Sequence, residues 1–348
     1  MLAELLARHE ETARARLDGH SYDYIAGGGA EEISVREAAA AWRRIRLRPR
    51  VLRDVTEVDT SCEVAGIRVS APVLVAPTAF HAIAHPDGEV ETARGVAAAG
   101  GLMIVATRSN ADLDAVVAAL GSPWLFQVYV MRDRDITASL VERAARLGAR
   151  ALVLTGDAPV LSRRRHGHIL PPLTEDQYLG NLRPLLKPGT RISWDTAQDP
   201  SITFETIGWL RELSGLPVYV KGVLRGDDAA ACLDAGAAGV VVSNHGGRQL
   251  DRAVAAAVAL PGVVAAVGGR GEVLVDGGIR SGIDILIALA MGARAVLVGR
   301  PVSWALASDG AAGVQQLLDA LRDDLREAMA LAGARAIADV DRSLVASG

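Results

Sequence analysis

The sequence predicts an α/β fold: a (β/α)8 barrel with a helical N-terminal extension and C-terminal helices. Short apolar runs alternate with amphipathic or alanine-rich stretches along most of the 348 residues. Eight of these runs have the length of buried strands and are separated by helical patterns, as in a barrel of parallel strands. Polar residues stand at the ends of nearly all eight runs, which is the edge where such barrels bind their ligands.

The predicted strands and helices follow in a regular order. The strands are expected at residues 73–76, 102–107, 124–130, 151–157, 217–223, 239–245, 272–277 and 295–299. The helices are expected at residues 89–99, 113–120, 136–147, 206–213, 227–235, 254–265 and 283–291. A doubly wound open sheet is the alternative, but it would carry a glycine-rich fingerprint after its first strand, where this chain has Pro77, Thr78 and Ala79.

We expect residues 1–348 to form a single domain. Residues 1–70 precede the barrel as helices and a small β-hairpin near residues 61–70, and residues 302–332 follow it as helices. The longest irregular stretch, residues 158–202, is expected to be a loop over the binding site. Loops of this length in compact domains are usually lids or disordered segments.

Composition argues against several classes of protein. The net charge of −4 gives no strong attraction to nucleic acid or an anionic membrane, and no window is apolar enough to span a bilayer. The two cysteines, Cys62 and Cys232, have neither metal-ligand spacing nor a disulfide framework. The spacing of the cysteines therefore gives no reason to expect a metal. The charged N-terminus lacks the apolar run of a signal peptide, so we expect a cytoplasmic protein.

The most informative segment is GVVVSNHGGRQLD, residues 239–251. A buried, β-branched strand would present His245 at its C-terminal end, and the glycines after it let a ligand approach the backbone. Arg248 follows one short turn later. A base beside an anion-binding side chain favours proton abstraction from an acid substrate, and a capped strand end is the alternative.

The other strand ends complete the predicted site. They carry Pro77, Thr78, Ala79, Ala106, Arg108, Gln127, Tyr129, Thr155, Asp157, Lys221, Ser243, Asp276, Gly277, Gly278, Arg280, Gly299 and Arg300. Buried polar groups are costly unless they are paired or bind a ligand, so polar groups gathered at one edge indicate a site. The glycines and arginines after the last two strands favour phosphate binding over two tight turns with surface arginines.

These motifs resemble those of the FMN-dependent 2-hydroxy acid oxidases and dehydrogenases, the family of glycolate oxidase, lactate oxidase and mandelate dehydrogenase. The resemblance extends from about residue 8 to residue 340. Its motifs are SNHGGRQLD (243–251), FQVY (126–129), LTGD (154–157), VKG (220–222) and VGRPV (298–302). Details around Trp124 and Trp304 are most similar to the hydroxymandelate oxidases.

The resemblance implies an FMN cofactor. It assigns the phosphate to the loops that contain Asp276, Gly277, Gly278, Arg280, Gly299 and Arg300. It places Lys221 at the N1–C2 carbonyl edge of the flavin, whereas the alternative is a lysine that extends to solvent from the barrel rim. The remaining cofactor contacts would come from Pro77, Thr78, Ala79, Ala106, Gln127, Thr155 and Ser243.

The resemblance also implies oxidation of an L-2-hydroxy acid to the 2-oxo acid, with His245 removing a proton and two electrons passing to flavin N5. Asp157 would stabilise the imidazolium, or alternatively cap a helix. Tyr129 and Lys221 are the other catalytic candidates, and the substrate would be held by Tyr24, Tyr129, Arg164 and Arg248. The family implies oxygen or another electron acceptor, and a homotetramer.

Three positions depart from the family pattern. Ala106 stands in place of a serine, Gly156 in place of a valine, and Arg108 in place of an aromatic or small residue. We expect Arg108 either to line the substrate pocket or to turn outward, where it would be solvated or pair with an acidic residue such as Asp112. Two other functions stay open: another FMN barrel, of the isomerase or nucleotide dehydrogenase type, and a degenerate flavin-binding protein.

Overall fold

The computed structural model describes residues 2–165, 172–188 and 197–346. Its N-terminal part consists of helices α1 (Leu2–Arg16), α2 (Gly19–Ala26) and α3 (Ile33–Arg43). The predicted hairpin follows as the antiparallel strands β1 (Cys62–Val64) and β2 (Ile67–Val69). Helix α2 starts after Asp18, whose carboxylate accepts the Ser21 N–H and so caps the first turn.

A barrel of parallel strands follows the hairpin. The strands are β3 (Val73–Val75), β4 (Leu102–Val105), β5 (Leu125–Val128), β6 (Leu152–Thr155), β7 (Val218–Val223), β8 (Gly239–Val242), β9 (Glu272–Asp276) and β10 (Ala295–Val298). They close in the order β10-β3-β4-β5-β6-β7-β8-β9. This closed ring of eight confirms the predicted (β/α)8, or TIM-barrel, fold.

The helices pack around the barrel, and all of them except α7 (Glu175–Leu179) were predicted. They are α4 (Gly88–Ala98), α5 (Leu113–Leu120), α6 (Arg134–Arg146), α7 (Glu175–Leu179), α8 (Glu205–Ser214), α9 (Gly226–Asp234), α10 (Ala256–Val267), α11 (Gly282–Ala290) and α12 (Arg300–Ala332). Non-helical backbone at Asp309 and Gly310 interrupts α12, so the predicted C-terminal helices are two segments of one long element. None of the helices described is long and apolar enough to cross a membrane.

Most predicted strands extended too far toward their C-terminal ends. Strand β4 ends at Val105 rather than residue 107, and β8 ends at Val242 rather than residue 245. Beyond β4, the Thr107 N–H donates to the side-chain Oε1 of Gln127 and not to the backbone of the neighbouring strand. His245 lies in the 3-10 turn His245–Gly247 instead of on the strand. Residues just beyond these strand ends, such as Thr107 and Ser243, are still buried although the strand ladder has stopped.

The barrel interior is apolar and is covered by the hairpin at its N-terminal end. Val64 and Ile67 of the hairpin are buried against the side chains inside the barrel. Below them, the Tyr219 hydroxyl donates to Oε2 of Glu272 (2.8 Å), and the same oxygen accepts the Ala65 N–H (3.0 Å). With this end covered, a ligand has access to the strands from their C-terminal ends.

The segment predicted to be irregular contains ordered structure. Helix α7 and a 3-10 turn, Arg183–Leu185, lie within residues 158–202. Thr174 and Gln177 form a capping box at the start of α7, a pattern that marks a helix start in the sequence and that the prediction overlooked. Residues 166–171 and 189–196 of this segment lie outside the described residues.

Candidate active site

A cavity of about 710 Å³ opens at the C-terminal end of the barrel. The predicted site residues that line it are Tyr24, Pro77, Thr78, Ala79, Ala106, Arg108, Gln127, Tyr129, Arg164, Lys221, His245, Arg248, Asp276, Gly277, Gly278, Arg280, Gly299 and Arg300. Three more, Thr155, Asp157 and Ser243, stand behind the wall, and each accepts a hydrogen bond from a lining residue. The fold therefore gathers every predicted site residue into one cluster.

His245 and Asp157 form a hydrogen-bonded pair in this cluster. Nδ1 of His245 lies 2.9 Å from Oδ1 of Asp157. A carboxylate only accepts, so Nδ1 donates and Nε2 is left as a proton acceptor. Burial raises the pKa of Asp157, but the attraction of His245 and this hydrogen bond outweigh burial and hold the pKa below its ordinary value. No helix begins within residues 158–165, so Asp157 caps none there.

Two unusual backbone conformations fix the position of this pair. His245 has a φ of +57°, and its N–H donates to Oγ of Ser243 at 3.0 Å. Gly222 has a φ of +105°, and a Cβ at this position would lie 2.5 Å from Cβ and 2.8 Å from Oδ1 of Asp157. The carboxylate occupies the space that a side chain at residue 222 would need, so the position requires glycine.

Lys221 is a buried cation at the end of β7. Its Nζ lies 3.0 Å from Oδ2 of Asp276 and donates to Oγ of Ser243 at 2.8 Å. Burial lowers the pKa of the ammonium, but Asp276 and Asp157 outweigh burial and raise the pKa, so Lys221 is protonated. Oδ1 of Asp276 is buried without a hydrogen-bond partner among the described residues. The alternative of a lysine extending to solvent is wrong, since this side chain is almost fully buried.

Arg164 and Arg248 approach the cavity from two loops. Nη1 of Arg248 donates to the carbonyl oxygens of Tyr24 (2.7 Å) and Gly27 (3.1 Å), and its guanidinium lies over the Tyr24 ring. Nη1 of Arg164 donates to the Arg248 carbonyl oxygen at 3.0 Å, and its Nε is buried without a partner. Burial, and then repulsion from Arg248, lower the pKa of Arg164 to about 10. An anion between the two guanidinium groups would relieve both effects.

The loops after β9 and β10 also line the cavity. A Cβ at Gly277 would meet nothing closer than Oδ1 of Asn244, at 3.7 Å, so the space beside this residue is open. Gly299 precedes α12 and has no side chain to cap the helix, which leaves the positive end of the helix dipole facing the cavity. Arg280 lies over the Trp304 ring, and Arg300 donates to the Gly27 carbonyl oxygen at 2.8 Å.

Sequence reasoning missed several residues of the cavity wall, among them Phe80, His81, Arg132 and Tyr178. Phe80 directly follows the Pro77–Ala79 segment, so its position was a usable signal. His81 makes hydrogen bonds through its two ring nitrogens to Thr78 and to Thr92. Tyr178 lies on the unpredicted helix α7, with its ring centroid 4.7 Å from that of Phe80. No local pattern in the sequence marks Arg132 as a site residue.

The departures from the family pattern have clear structural settings. Ala106 is buried in the cavity wall. A Cβ at Gly156 would meet other atoms at 3.7 Å, an ordinary contact, so this glycine is not required by space. Asp112 is bound at 2.8 Å by Arg143, and Arg108 lines the cavity, so the predicted surface pair between Arg108 and Asp112 does not form.

Comparison with known proteins gives a consistent result. The family described as FMN-dependent dehydrogenase matches residues 13–347. L-lactate oxidase of Nostoc sp. is 44% identical over 354 residues, which cover 98% of this chain and 97% of that protein. Human 2-hydroxyacid oxidase 2 is 42% identical over 337 residues, with 96% and 95% covered. The crystal structure of mandelate oxidase superposes with a TM-score of 0.90 at 41% identity, covering 99% of this chain and 98% of that one.

The chain belongs to the FMN-dependent dehydrogenase family. It is an oxidoreductase that acts on CH–OH groups, with FMN as its cofactor. The cavity agrees with this cofactor, because about 710 Å³ is within the range of cofactor sites, roughly 300–1,000 Å³. The buried Lys221 ammonium suits a ring edge that gains negative charge, and the uncapped α12 N-terminus suits a phosphate.

Proposed function

We propose that the protein oxidises an L-2-hydroxy acid to the corresponding 2-oxo acid, with His245 as the base. The observation that carries this proposal is the His245–Asp157 pair beside Arg164 and Arg248 on the wall of one cavity. A base, its anionic partner and two guanidinium forks are the groups needed to bind a carboxylate and remove a proton next to it.

The proposed sequence of events begins with binding of the substrate carboxylate. Arg164 and Arg248 hold it as bidentate donors, and Tyr24 and Tyr129 contact it from the same wall. Nε2 of His245 then accepts a proton from the substrate. Asp157 stabilises the imidazolium through the hydrogen bond that it already makes to Nδ1, as the third member of a catalytic triad does.

FMN supplies the redox chemistry by accepting the two electrons and the second hydrogen that the CH–OH group loses. We assign Lys221 to the flavin N1–C2 edge, where its ammonium stabilises the negative charge of the reduced ring. Gln127 and Thr155 are assigned to the polar edge or ribityl chain, together with Ser243, Thr78 and neighbouring residues of the cavity wall. The phosphate is assigned to the loops at residues 276–280 and 299–300, and the final electron acceptor is oxygen or another oxidant.

The experiment that tests the proposal is anaerobic reduction of the purified holoenzyme. A panel of 2-hydroxy acids, each as separate enantiomers, is mixed with the enzyme while flavin absorbance is followed. We expect bleaching by L-enantiomers and loss of bleaching in His245→Gln. A flavin that no 2-hydroxy acid reduces would favour the isomerase-type or degenerate alternatives. The substrates that reduce the flavin are then assayed in air with peroxide detection, which shows whether oxygen is the electron acceptor.

Two further expectations stay part of the proposal: a cytoplasmic location and, from the family resemblance, a homotetrameric assembly of single-domain chains. Sedimentation equilibrium of the holoenzyme tests the assembly directly. A mass of one chain would contradict it.

A further inference from the structure

The wall of the cavity is unusually rich in positive charge. In the part of the chain that the structure describes, seven arginine or lysine side chains line the cavity, against one carboxylate, that of Asp276. Five of these cations have assignments above: one to the flavin ring, two to the phosphate and two to the substrate carboxylate. The other two, Arg108 and Arg132, line the same space and have been given no role in binding above.

Arg108 is held on a rigid loop after β4. Its carbonyl oxygen accepts the Phe80 N–H at 3.2 Å, and the carbonyl oxygen of Ser109 accepts the Asn181 N–H at 3.1 Å. The buried carboxylate of Glu89 accepts the Asn110 N–H at 3.0 Å. Contacts from three directions thus fix the backbone from which the Arg108 side chain enters the cavity.

Arg108 lines the same cavity as Tyr24, Tyr129 and Tyr178. Burial lowers the pKa of its guanidinium, and the electrostatic interactions with these three tyrosines oppose that effect. Tyr24 and Tyr129 are the aromatic residues that we assign to the substrate. Arginine stays protonated in proteins, so a fixed positive charge stands beside the position of the substrate side chain.

Arg132 lies at the mouth of the same cavity. It is exposed, and its N–H donates to the Ala197 carbonyl oxygen at 2.8 Å. Ala197 and Gln198 also line the cavity, so Arg132 stands on a wall formed by two chain segments. Nη2 of Arg108 lies 3.9 Å from Sδ of Met131, the neighbour of Arg132 in sequence.

We propose that Arg108, with Arg132 at the mouth, forms a second anion subsite, and that the substrate is a 2-hydroxy acid whose side chain ends in a carboxylate. This inference rests on the proposed function, because Arg164 and Arg248 bind the first carboxylate. A carboxylate on the substrate side chain would bring a negative charge to this buried cation, which an apolar side chain cannot do. A second carboxylate would accept two hydrogen bonds from the planar fork.

The test compares two substrates that differ only in the terminal group. (S)-2-hydroxyglutarate and (S)-2-hydroxypentanoate have the same chain length, with a carboxylate in one where the other has a methyl group. Wild-type holoenzyme, Arg108→Met and Arg132→Met are assayed by anaerobic flavin reduction with both. Arg146→Met is the matched control, because Arg146 is an exposed arginine of α6 outside the cavity wall.

We expect wild type to prefer the diacid, and Arg108→Met to lose about 30-fold or more in kcat/KM on it, the effect of removing one partner from a desolvated charge pair. On 2-hydroxypentanoate the same variant should change little, and Arg132→Met should show a smaller loss confined to the diacid. Equal loss on both substrates, or a wild-type preference for the monoacid or for mandelate, would overturn the subsite. If Arg108→Met does not retain FMN, the Arg108→Lys variant is assayed instead. We then expect a partial loss of kcat/KM on the diacid and none on 2-hydroxypentanoate.

A binding measurement separates this inference from the proposed function. Glutarate and pentanoate cannot be oxidised as 2-hydroxy acids, so their Kd values are read from the change in flavin absorbance on titration. Tighter binding of glutarate, lost in Arg108→Met and kept in Arg146→Met, supports the subsite even if no hydroxy acid reduces the flavin. Flavin reduction by monoacids without any preference for glutarate would leave the proposed function intact and refute the subsite.

Discussion

The Gly222→Ala substitution tests whether the placement of Asp157 controls the reaction. A Cβ at residue 222 would lie 2.5 Å from Cβ of Asp157, so the carboxylate must move away from His245. Without its hydrogen-bonded anion, the imidazole loses the tautomer and orientation that a general base needs. Loss of the corresponding contact in catalytic triads costs about 10⁴-fold, and loss of general-base catalysis about 10²–10⁴-fold. We expect the rate of flavin reduction to fall within that range.

The same substitution has a predictable cost in stability. A non-glycine residue at a φ of +105° adds backbone strain of about 1–3 kcal/mol, and overpacking against Asp157 adds about 1–3 kcal/mol more. The free energy of unfolding should therefore fall by about 2–6 kcal/mol. With an unfolding entropy of roughly 2.1 cal/mol/K per residue over 348 residues, Tm should fall by about 3–8 °C.

Stopped-flow flavin reduction and thermal unfolding of the holoenzyme measure both effects. Gly156→Ala is the matched control, because residue 156 adjoins Asp157 in sequence but a Cβ there meets other atoms only at 3.7 Å. We expect nearly wild-type reduction and stability for Gly156→Ala. A wild-type rate in Gly222→Ala, with FMN bound, would refute the reasoning that links this glycine to the base through Asp157.

Three further predictions concern the base, the carboxylate clamp and the cofactor. His245→Gln should retain FMN, because no phosphate contact changes, and lose about 10²–10⁴-fold in the flavin reduction rate; a loss of only a few-fold would make His245 structural. Arg248→Lys should raise KM and lower kcat, since an ammonium cannot form the bidentate fork, and unchanged kinetics would remove Arg248 from the site. Flavin released by acid should be FMN at one per chain, and the apoprotein should bind riboflavin far more weakly than FMN; equal affinities would exclude the proposed phosphate loops.

The sequence predicted the barrel well because its strands are buried on both faces. All four residues of β8 are buried. Such strands appear in the sequence as continuous runs of β-branched residues, which exposed segments rarely contain. The same signal does not locate strand ends, because apolar or β-branched residues can follow the last backbone hydrogen bond of a strand. Thr107 continues the pattern of β4, yet its N–H bonds to the side chain of Gln127. Such an exchange depends on a residue of another strand and cannot be read locally.

The site was predictable where residue type and strand end coincide, as at Lys221 and His245. What the sequence could not supply was the set of supporting contacts. The bond from Arg248 to the Tyr24 carbonyl oxygen joins residues 224 positions apart. Arg132 enters the cavity wall only because residues 197–199 pair with its segment, and Tyr178 because a five-residue helix forms. Contacts of this range are properties of the closed fold, not of any window of sequence.

The C-terminal end of α2 joins two parts of the site that carry different ligands. The carbonyl oxygens of Tyr24, Ile25 and Gly27 accept hydrogen bonds from Arg248, and those of Ile25, Ala26 and Gly27 accept them from Arg300. One eight-residue helix outside the barrel thus orients an arginine assigned to the substrate and another assigned to the phosphate. A minimal barrel cut from this chain would keep every strand-end residue and lose the alignment of both arginines. Transplanting the site into another scaffold therefore requires moving α2 with it.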